Sequence, residues 1–218
     1  MSERHLGSTR SSPTSRCSSG SPACGAGRYP ASAVSARGSS DTINRVKTVL
    51  VGERPPEIEE FLERRHALGQ DGFDEMWEGA YHVAPMAHPW HGYVDSQFGE
   101  LLAPHARRAG LVGTSAFNLG APDDFRVPDR GYHRSVPSEV YVSSATVVVE
   151  VVSPGDETWE KFDFYARSGV EEICTAEPFE QRIRWWRLVD HEYVETDASP
   201  ILAIRVGELA AQIDWPGA

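Results

Sequence analysis

The sequence has few cysteines, no long hydrophobic run and no excess of basic residues, and each absence argues against a class of protein. The three cysteines, Cys17, Cys24 and Cys174, are too few and too widely spaced for a disulfide framework or a cysteine-based zinc site. We therefore expect reduced thiols and a cytoplasmic protein. No apolar segment approaches the roughly 18 residues that span a bilayer, so no membrane partner is expected.

Basic residues are outnumbered by acidic ones. The 218 residues include 21 Lys and Arg against 32 Asp and Glu, a net charge of −11 at pH 7. This balance argues against a protein that holds nucleic acid on a broad basic surface. The charge balance is still compatible with a protein that contacts phosphates only in a small cleft.

The composition changes near residue 45. Residues 1–45 are rich in serine and carry six arginines against Glu3 and Asp41, which leaves a net charge of −15 for residues 46–218. Without apolar periodicity, burial cannot offset the ordering entropy of this segment, so it is predicted to be a disordered tail with no assigned function. Two alternatives stay open: an organelle transit peptide, which has a similar composition, and a true start near residues 46–51.

Residues 46–218 are predicted to form a single α/β domain around a mixed sheet. Helices are expected at Pro55–His66, Trp90–Ala109, Asp156–Arg167 and Gly207–Ile213. Pro104 makes the last turn of the second helix doubtful. Strands are expected at Phe73–Trp77, Ala80–Ala84, Leu111–Leu119, Phe125–Val127, Thr146–Val152, Glu172–Ala176, Arg182–Val189 and Tyr193–Glu195. Glu78-Gly79 is expected to be a hairpin turn, and Trp185 and Trp186 should point to opposite faces of their strand.

One predicted strand carries a carboxylate among apolar side chains. The run Val147–Val152 places Glu150 among five valines, a pattern typical of a strand that is buried on both faces. A buried carboxylate is costly unless it is paired or coordinates a cation. Glu150 is therefore a candidate site residue. The alternative is a structural bond to a core arginine or to backbone amides.

Two further patterns lie on either side of this strand. Pro128-Asp129 ends a short β-stretch, although proline before aspartate is also an ordinary turn pattern. Lys161 and Tyr165 are four residues apart, on one face of the predicted helix. Taken singly, Lys161 also fits a surface ion pair with Glu157.

In combination, these patterns resemble a known family. The residues concerned are Pro128-Asp129, Val149–Pro154, Lys161, Tyr165 and Gly169–Glu172, with Met76–Gly79 and His91 upstream. They are similar to the Uma2 family of restriction-endonuclease-like proteins in the PD-(D/E)XK nuclease superfamily. The resemblance implies a restriction-endonuclease-like core, in which helices flank a mixed β-sheet. It also implies a divalent-metal-dependent endonuclease that hydrolyses phosphodiester bonds of DNA.

The resemblance further implies the site residues. Asp129 and Glu150 would supply oxygen ligands to Mg²⁺ or Mn²⁺, and Lys161 would orient the attacking water or stabilise developing charge. In the superfamily's commonest pattern the lysine lies two residues after the glutamate, where this chain has Val152. This departure and the acidic charge favour an alternative, a nuclease fold that no longer cuts and serves as a binding or scaffold protein. DNA is the expected partner of an active enzyme, and homodimerisation stays open.

Other polar residues give weaker patterns. His82, His88 and His91 lie close in sequence, but their spacing matches no helical pair of zinc ligands. Glu100 on the second helix could add an acid to the site, and a solvated position is the simpler expectation.

Overall fold

The computed structural model describes residues 48–155 and 157–217, and the predicted tail of residues 1–45 lies outside them. The described residues form four α-helices: α1 (Pro56–Ala67), α2 (Pro89–Arg108), α3 (Phe162–Arg167) and α4 (Val206–Ala210). They also form fourteen strands: β1 (Thr48–Leu50), β2 (Glu75–Trp77), β3 (Ala80–Val83), β4 (Val112–Thr114), β5 (Asn118–Ala121), β6 (Asp124–Arg126), β7 (Arg130–His133), β8 (Tyr141–Val142), β9 (Val147–Val151), β10 (Glu172–Glu177), β11 (Arg182–Val189), β12 (Glu192–Thr196), β13 (Ala198–Ser199) and β14 (Ile204–Arg205).

Most of these strands belong to two six-stranded sheets. The strand order is β1-β3-β2-β6-β5-β8 in the first sheet and β12-β11-β10-β9-β7-β4 in the second. In the second sheet β9 and β10 are parallel, with Glu150 opposite Thr175, whereas the other neighbouring strands are antiparallel. The sheet is therefore mixed, and the predicted α/β class with a mixed sheet is confirmed.

The second sheet is covered on both faces. Because successive side chains of a strand point to opposite sides, the two faces of β9 pack against different helices. Val149 belongs to a buried cluster with Phe98 of α2, whereas Val148 belongs to a cluster with Tyr165 of α3. This double burial explains the valine-rich sequence of β9. It also places Glu150 on the same face as Val148, towards α3.

The two adjacent tryptophans of β11 show the same alternation. Trp185 is fully buried, and its indole N–H donates to Glu172 at 2.9 Å. Trp186 packs with the α3 cluster and donates to Thr175 at 3.2 Å. The prediction that they point to opposite faces is confirmed.

Helix α2 continues through Pro104 to Arg108, so the expected doubt about its last turn was wrong. Pro104 is exposed, and the turn that follows it is held by tertiary contacts. Ala106 is buried in the core, and Nδ1 of His105 donates to the carbonyl oxygen of Leu202 at 2.9 Å. These contacts outweigh the backbone hydrogen bond that proline cannot make.

Two other predicted boundaries differ. The expected strand Leu111–Leu119 is two strands, because β4 pairs with β7 in the second sheet and β5 pairs with β6 in the first. The chain changes sheets between them. The helix expected from Asp156 begins as a 3₁₀ turn at Trp159–Lys161, and the α-helix starts at Phe162, while Asp156 itself lies outside the described residues.

Candidate active site

Glu150 lies within the central strand β9, and only 3% of its surface is exposed. Two side chains from the segment that follows β9 contact its Oε1 atom. The hydroxyl of Tyr165 donates to this oxygen, and Nζ of Lys161 lies 3.3 Å from it. The buried carboxylate of Glu150 on β9 is therefore paired with a tyrosine hydroxyl and a lysine ammonium group.

Lys161 bridges two carboxylates. Its Nζ atom lies 2.9 Å from Oε1 of Glu75 and 3.3 Å from Oε1 of Glu150, and its side chain is only 12% exposed. The 3₁₀ turn ends at Lys161, and α3 places Tyr165 four residues later on the same side. The sequence contains two lysines, Lys47 and Lys161, so Lys161 is the one lysine in residues 48–218.

Glu75 on β2 is the second partner of Lys161. It is buried, and two donors hold its carboxylate independently of the lysine. The backbone N–H of Val127 donates to Oε1 at 2.7 Å, and the indole N–H of Trp77 donates to Oε2 at 2.6 Å. Glu75 thus provides a fixed anion that positions the ammonium group of Lys161.

Asp129 lies immediately before β7, and β7 is a neighbour of β9, the strand that carries Glu150. Since Arg130 pairs with Val149 across these antiparallel strands, Asp129 stands opposite Glu150 at the strand end. The backbone N–H of Val151 donates to Oδ2 of Asp129 at 2.7 Å, and Nε2 of His91 lies 3.1 Å from the same oxygen. His91, in the first turn of α2, therefore borders the site.

Burial and neighbouring charges shift the pKa values of this cluster. Burial is the largest effect on Glu150, and it raises the pKa of this carboxyl despite the opposing influence of Lys161. Burial lowers the pKa of Lys161, but Glu150 and Glu75 outweigh it, so the pKa is raised. For His91 as well, burial lowers the pKa, and the hydrogen bond and charge of Asp129 outweigh it and raise the pKa. Lys161 therefore stays charged, and Glu150 binds a proton more readily than an ordinary glutamate.

The structure brings the predicted residues Glu150 and Lys161 into contact and places Asp129 at the neighbouring strand end. The sequence patterns do not single out Glu75 or the contact between His91 and Asp129. A usable indication for Glu75 was present, because residues 73, 75 and 77 would share one face of the predicted strand Phe73–Trp77 and the other two are Phe and Trp. A carboxylate on an apolar strand face is the same pattern that identifies Glu150.

The donor set fits a hard divalent cation. The hydrogen bonds that the described residues make to Asp129 fall on Oδ2, and those to Glu150 fall on Oε1. Mg²⁺ typically takes one or two protein carboxylates and completes its shell with water and phosphate oxygens. Among the described residues, no group of three or more His, Cys, Asp or Glu side chains is arranged to hold a metal ion. Asp129 and Glu150 supply two carboxylates, fewer than the three or four protein ligands of a zinc site.

The three histidines that lie close in sequence have separate partners. Nδ1 of His82 lies 2.9 Å from Glu157. The ring of His88 caps α2 by accepting from the backbone N–H of Trp90 at 3.2 Å. His91 faces Asp129 instead.

Comparisons with known proteins give the family. The family model Uma2, described as "Putative restriction endonuclease", matches residues 58–214. The chain belongs to the Uma2 family. The resemblance seen in the sequence is thereby confirmed, and nuclease is the class of activity that this membership supports. No curated protein matches the sequence.

A solved structure resembles this member of the Uma2 family. It is a crystal structure described as "a putative nuclease belonging to DUF820" from Anabaena variabilis ATCC 29413. The TM-score is 0.54 at 17% identity, and the match covers 64% of this chain and 90% of that chain. At this identity the likeness shows the fold, and the predicted restriction-endonuclease-like core is confirmed. In the part of the chain that the structure describes, no helix has the length and apolar character needed to cross a membrane.

Proposed function

We propose that the protein is a divalent-metal-dependent endonuclease that hydrolyses phosphodiester bonds of DNA. The observation that carries the proposal is the contact of Lys161 with the buried carboxylate of Glu150, at the strand end that also bears Asp129. Membership of a restriction-endonuclease-like family supports the same class of reaction.

Asp129 and Glu150 are the residues that would hold Mg²⁺ or Mn²⁺. Such an ion lowers the pKa of a water nucleophile and offsets negative charge on the scissile phosphate. The N–H of Val151 fixes the orientation of Asp129, and Tyr165 fixes that of Glu150. Both carboxylates are thus oriented by hydrogen bonds from within the fold.

Lys161 takes the role that the commonest superfamily pattern gives to a lysine at the position of Val152. Because its pKa is raised, Lys161 remains an ammonium ion and cannot serve as a general base. It can donate hydrogen bonds to the attacking water or to a phosphate oxygen, where it stabilises the charge that develops in the transition state. Glu75 holds this ammonium group close to Glu150.

A second candidate function is a nuclease fold that no longer cuts and serves as a binding or scaffold protein. Val152 at the usual lysine position and the net charge of −15 on residues 46–218 favour it. The position of Lys161 favours the enzyme, because this lysine reaches the glutamate from the following turn. Metal-dependent cleavage distinguishes the two.

Plasmid nicking and oligonucleotide cleavage, each measured with Mg²⁺, Mn²⁺ and Ca²⁺, test the proposal, and calorimetry measures Mn²⁺ binding. Asp129→Asn and Glu150→Gln should abolish metal binding and cleavage. Lys161→Ala should leave metal affinity nearly intact and lower the rate by about 10²–10³. Ca²⁺ should bind without supporting turnover. Glu160→Gln, an exposed acid beside Lys161, is the matched control and should behave as wild type.

Thermal melting of each variant must accompany these assays, because Lys161→Ala leaves Glu75 and Glu150 without their shared cation. Equal cleavage by wild type and Glu150→Gln would contradict the mechanism. So would cleavage that survives chelation of divalent ions. Metal binding without cleavage of any DNA would favour the scaffold alternative.

A further inference from the structure

An exposed cluster of aromatic rings lies beside the candidate site. It consists of His88, Trp90 and Phe179, here called the stacking patch. The ring centroids of His88 and Trp90 are 4.9 Å apart, those of Trp90 and Phe179 are 5.2 Å apart, and those of His88 and Phe179 are 6.5 Å apart. Phe179 is 53% exposed, and His88 is also exposed.

The stacking patch belongs to the two segments that border the carboxylates. Trp90 directly precedes His91, which contacts Asp129. Phe179 lies in the turn between β10 and β11. Strand β10 runs parallel to β9, and the backbone N–H of Val152 donates to Ala176 at 2.7 Å, so both strands end at the same edge. The patch therefore lies at the same end of the sheet as Asp129 and Glu150.

The charge of the protein indicates what kind of ligand suits this patch. Residues 46–218 carry a net charge of −15, which opposes a binding mode based on many phosphate contacts. Stacking of a nucleobase on an aromatic ring needs no positive charge and occurs with every base. It requires a base whose face is free, however, and the bases inside a paired duplex are stacked on one another.

We propose that the stacking patch binds an unpaired base of the DNA strand next to the scissile phosphate. The substrate class that follows is single-stranded or locally unpaired DNA. This inference rests on the proposed nuclease function and adds to it the strand preference and a binding site that is separate from the metal ligands. Phe179, which is 53% exposed, is the residue on which the base stacks.

The test measures binding of a short single strand containing 2-aminopurine, with a duplex of the same sequence for comparison, in Ca²⁺ buffer. Wild type should bind the single strand more tightly than the duplex and quench the 2-aminopurine fluorescence. Phe179→Leu, which keeps an apolar side chain but removes the ring, should weaken single-strand binding by about 5-fold or more and abolish the quenching. Phe179→Tyr should retain both. Phe61→Leu, on the exposed face of α1, is the matched control and should bind as wild type.

Equal affinities of wild type and Phe179→Leu would overturn the proposal, as would tighter binding of the duplex or no binding of the single strand by wild type. Phe179→Leu and Phe179→Tyr could both bind more weakly and lose the same amount of melting temperature. That result would show that the ring of Phe179 is structural, and it would also overturn the proposal. This binding test is independent of cleavage. A failure of the nuclease mechanism would appear in the cleavage assays described above while the affinities stay as expected, whereas a failure of the stacking patch would appear in the affinities.

Discussion

Three largely buried ionisable side chains of the candidate site are joined by contacts. Glu150 is buried in β9, Lys161 neutralises it, and Glu75 in turn holds Lys161. Breaking a buried pair by removal of one partner typically costs about 3–5 kcal/mol, because the other charge is left uncompensated. Glu150→Gln is expected to cost less than this, since Lys161 retains the closer of its two carboxylates.

Mn²⁺ binding is expected to strengthen as the pH rises. Burial raises the pKa of Glu150, so this carboxyl holds a proton in a range where an ordinary glutamate is ionised, and a cation must displace it. The pKa of His91 is also raised, and its protonated ring competes with a cation for Asp129. Affinity should therefore fall as the pH decreases through these raised pKa values, by up to about tenfold per pH unit for each proton displaced.

Titration calorimetry in buffers of different ionisation enthalpy measures both this affinity and the protons released. His91→Gln keeps a neutral N–H near Asp129 and should make the pH dependence shallower without removing the contribution of Glu150. An affinity that does not change with pH would show that neither group is protonated in the metal-free protein.

Single residues of the site differ in how far the sequence reveals them. Glu150 could be predicted because its neighbours in sequence are valines, so its burial follows from a local pattern. The contact between His91 and Asp129 joins residues 38 positions apart, and no local pattern encodes that distance. Lys161 could be predicted as a site residue only from the family resemblance. Its partner Glu75 lies on β2 in the first sheet, whereas Glu150 lies on β9 in the second, and no local pattern relates the two.

At the scale of elements, the predictable ones are those with local determinants. The turn Glu78-Gly79 joins β2 and β3 with both residues at positive φ, 49° and 88°, as a type I′ hairpin turn requires. Strand β11 has the predicted bounds, because four aromatic and β-branched residues recur between Ile183 and Val189. Strand β7 has four residues of mixed polarity and lies between β4 and β9, so tertiary pairing decides its conformation.

Helix α2 provides a stability prediction at this scale. Pro104 lies inside the helix, is exposed, and cannot donate the backbone hydrogen bond to the preceding turn. Pro104→Ala restores that donor and should stabilise the protein by about 1–3 kcal/mol, reduced in part by the greater freedom of the unfolded chain. Thermal and urea unfolding measure the change, with Glu100→Ala on the same helix as the control. A destabilised Pro104→Ala variant would mean that packing of the proline ring outweighs the missing bond.

At the scale of the whole molecule, residues 46–218 carry a net charge of −15, which is unfavourable for binding a polyanion. Many arginines of the described part of the chain are already paired with carboxylates, at distances of 2.6–2.9 Å. The pairs are Arg65–Asp74, Arg126–Asp124, Arg130–Asp95, Arg134–Glu171, Arg182–Glu177 and Arg184–Glu177. The proposed binding of DNA would therefore depend on a small number of phosphate contacts near the site, together with the proposed contacts to bases.

The affinity for DNA is accordingly expected to depend only weakly on salt. Each phosphate that a protein neutralises adds about 0.7 to the slope of log K against log salt concentration for a single strand, and about 0.9 for a duplex. Two or three contacts give a slope of about 1.4–2.1 for a single strand. Fluorescence anisotropy between about 50 and 200 mM salt measures this slope in Ca²⁺ buffer. The chain beginning at residue 46 should be compared with the full chain, because the six arginines of residues 1–45 could add contacts of their own. A slope above about 5 for the shorter chain would mean an extensive basic surface, which the paired arginines of this structure do not provide.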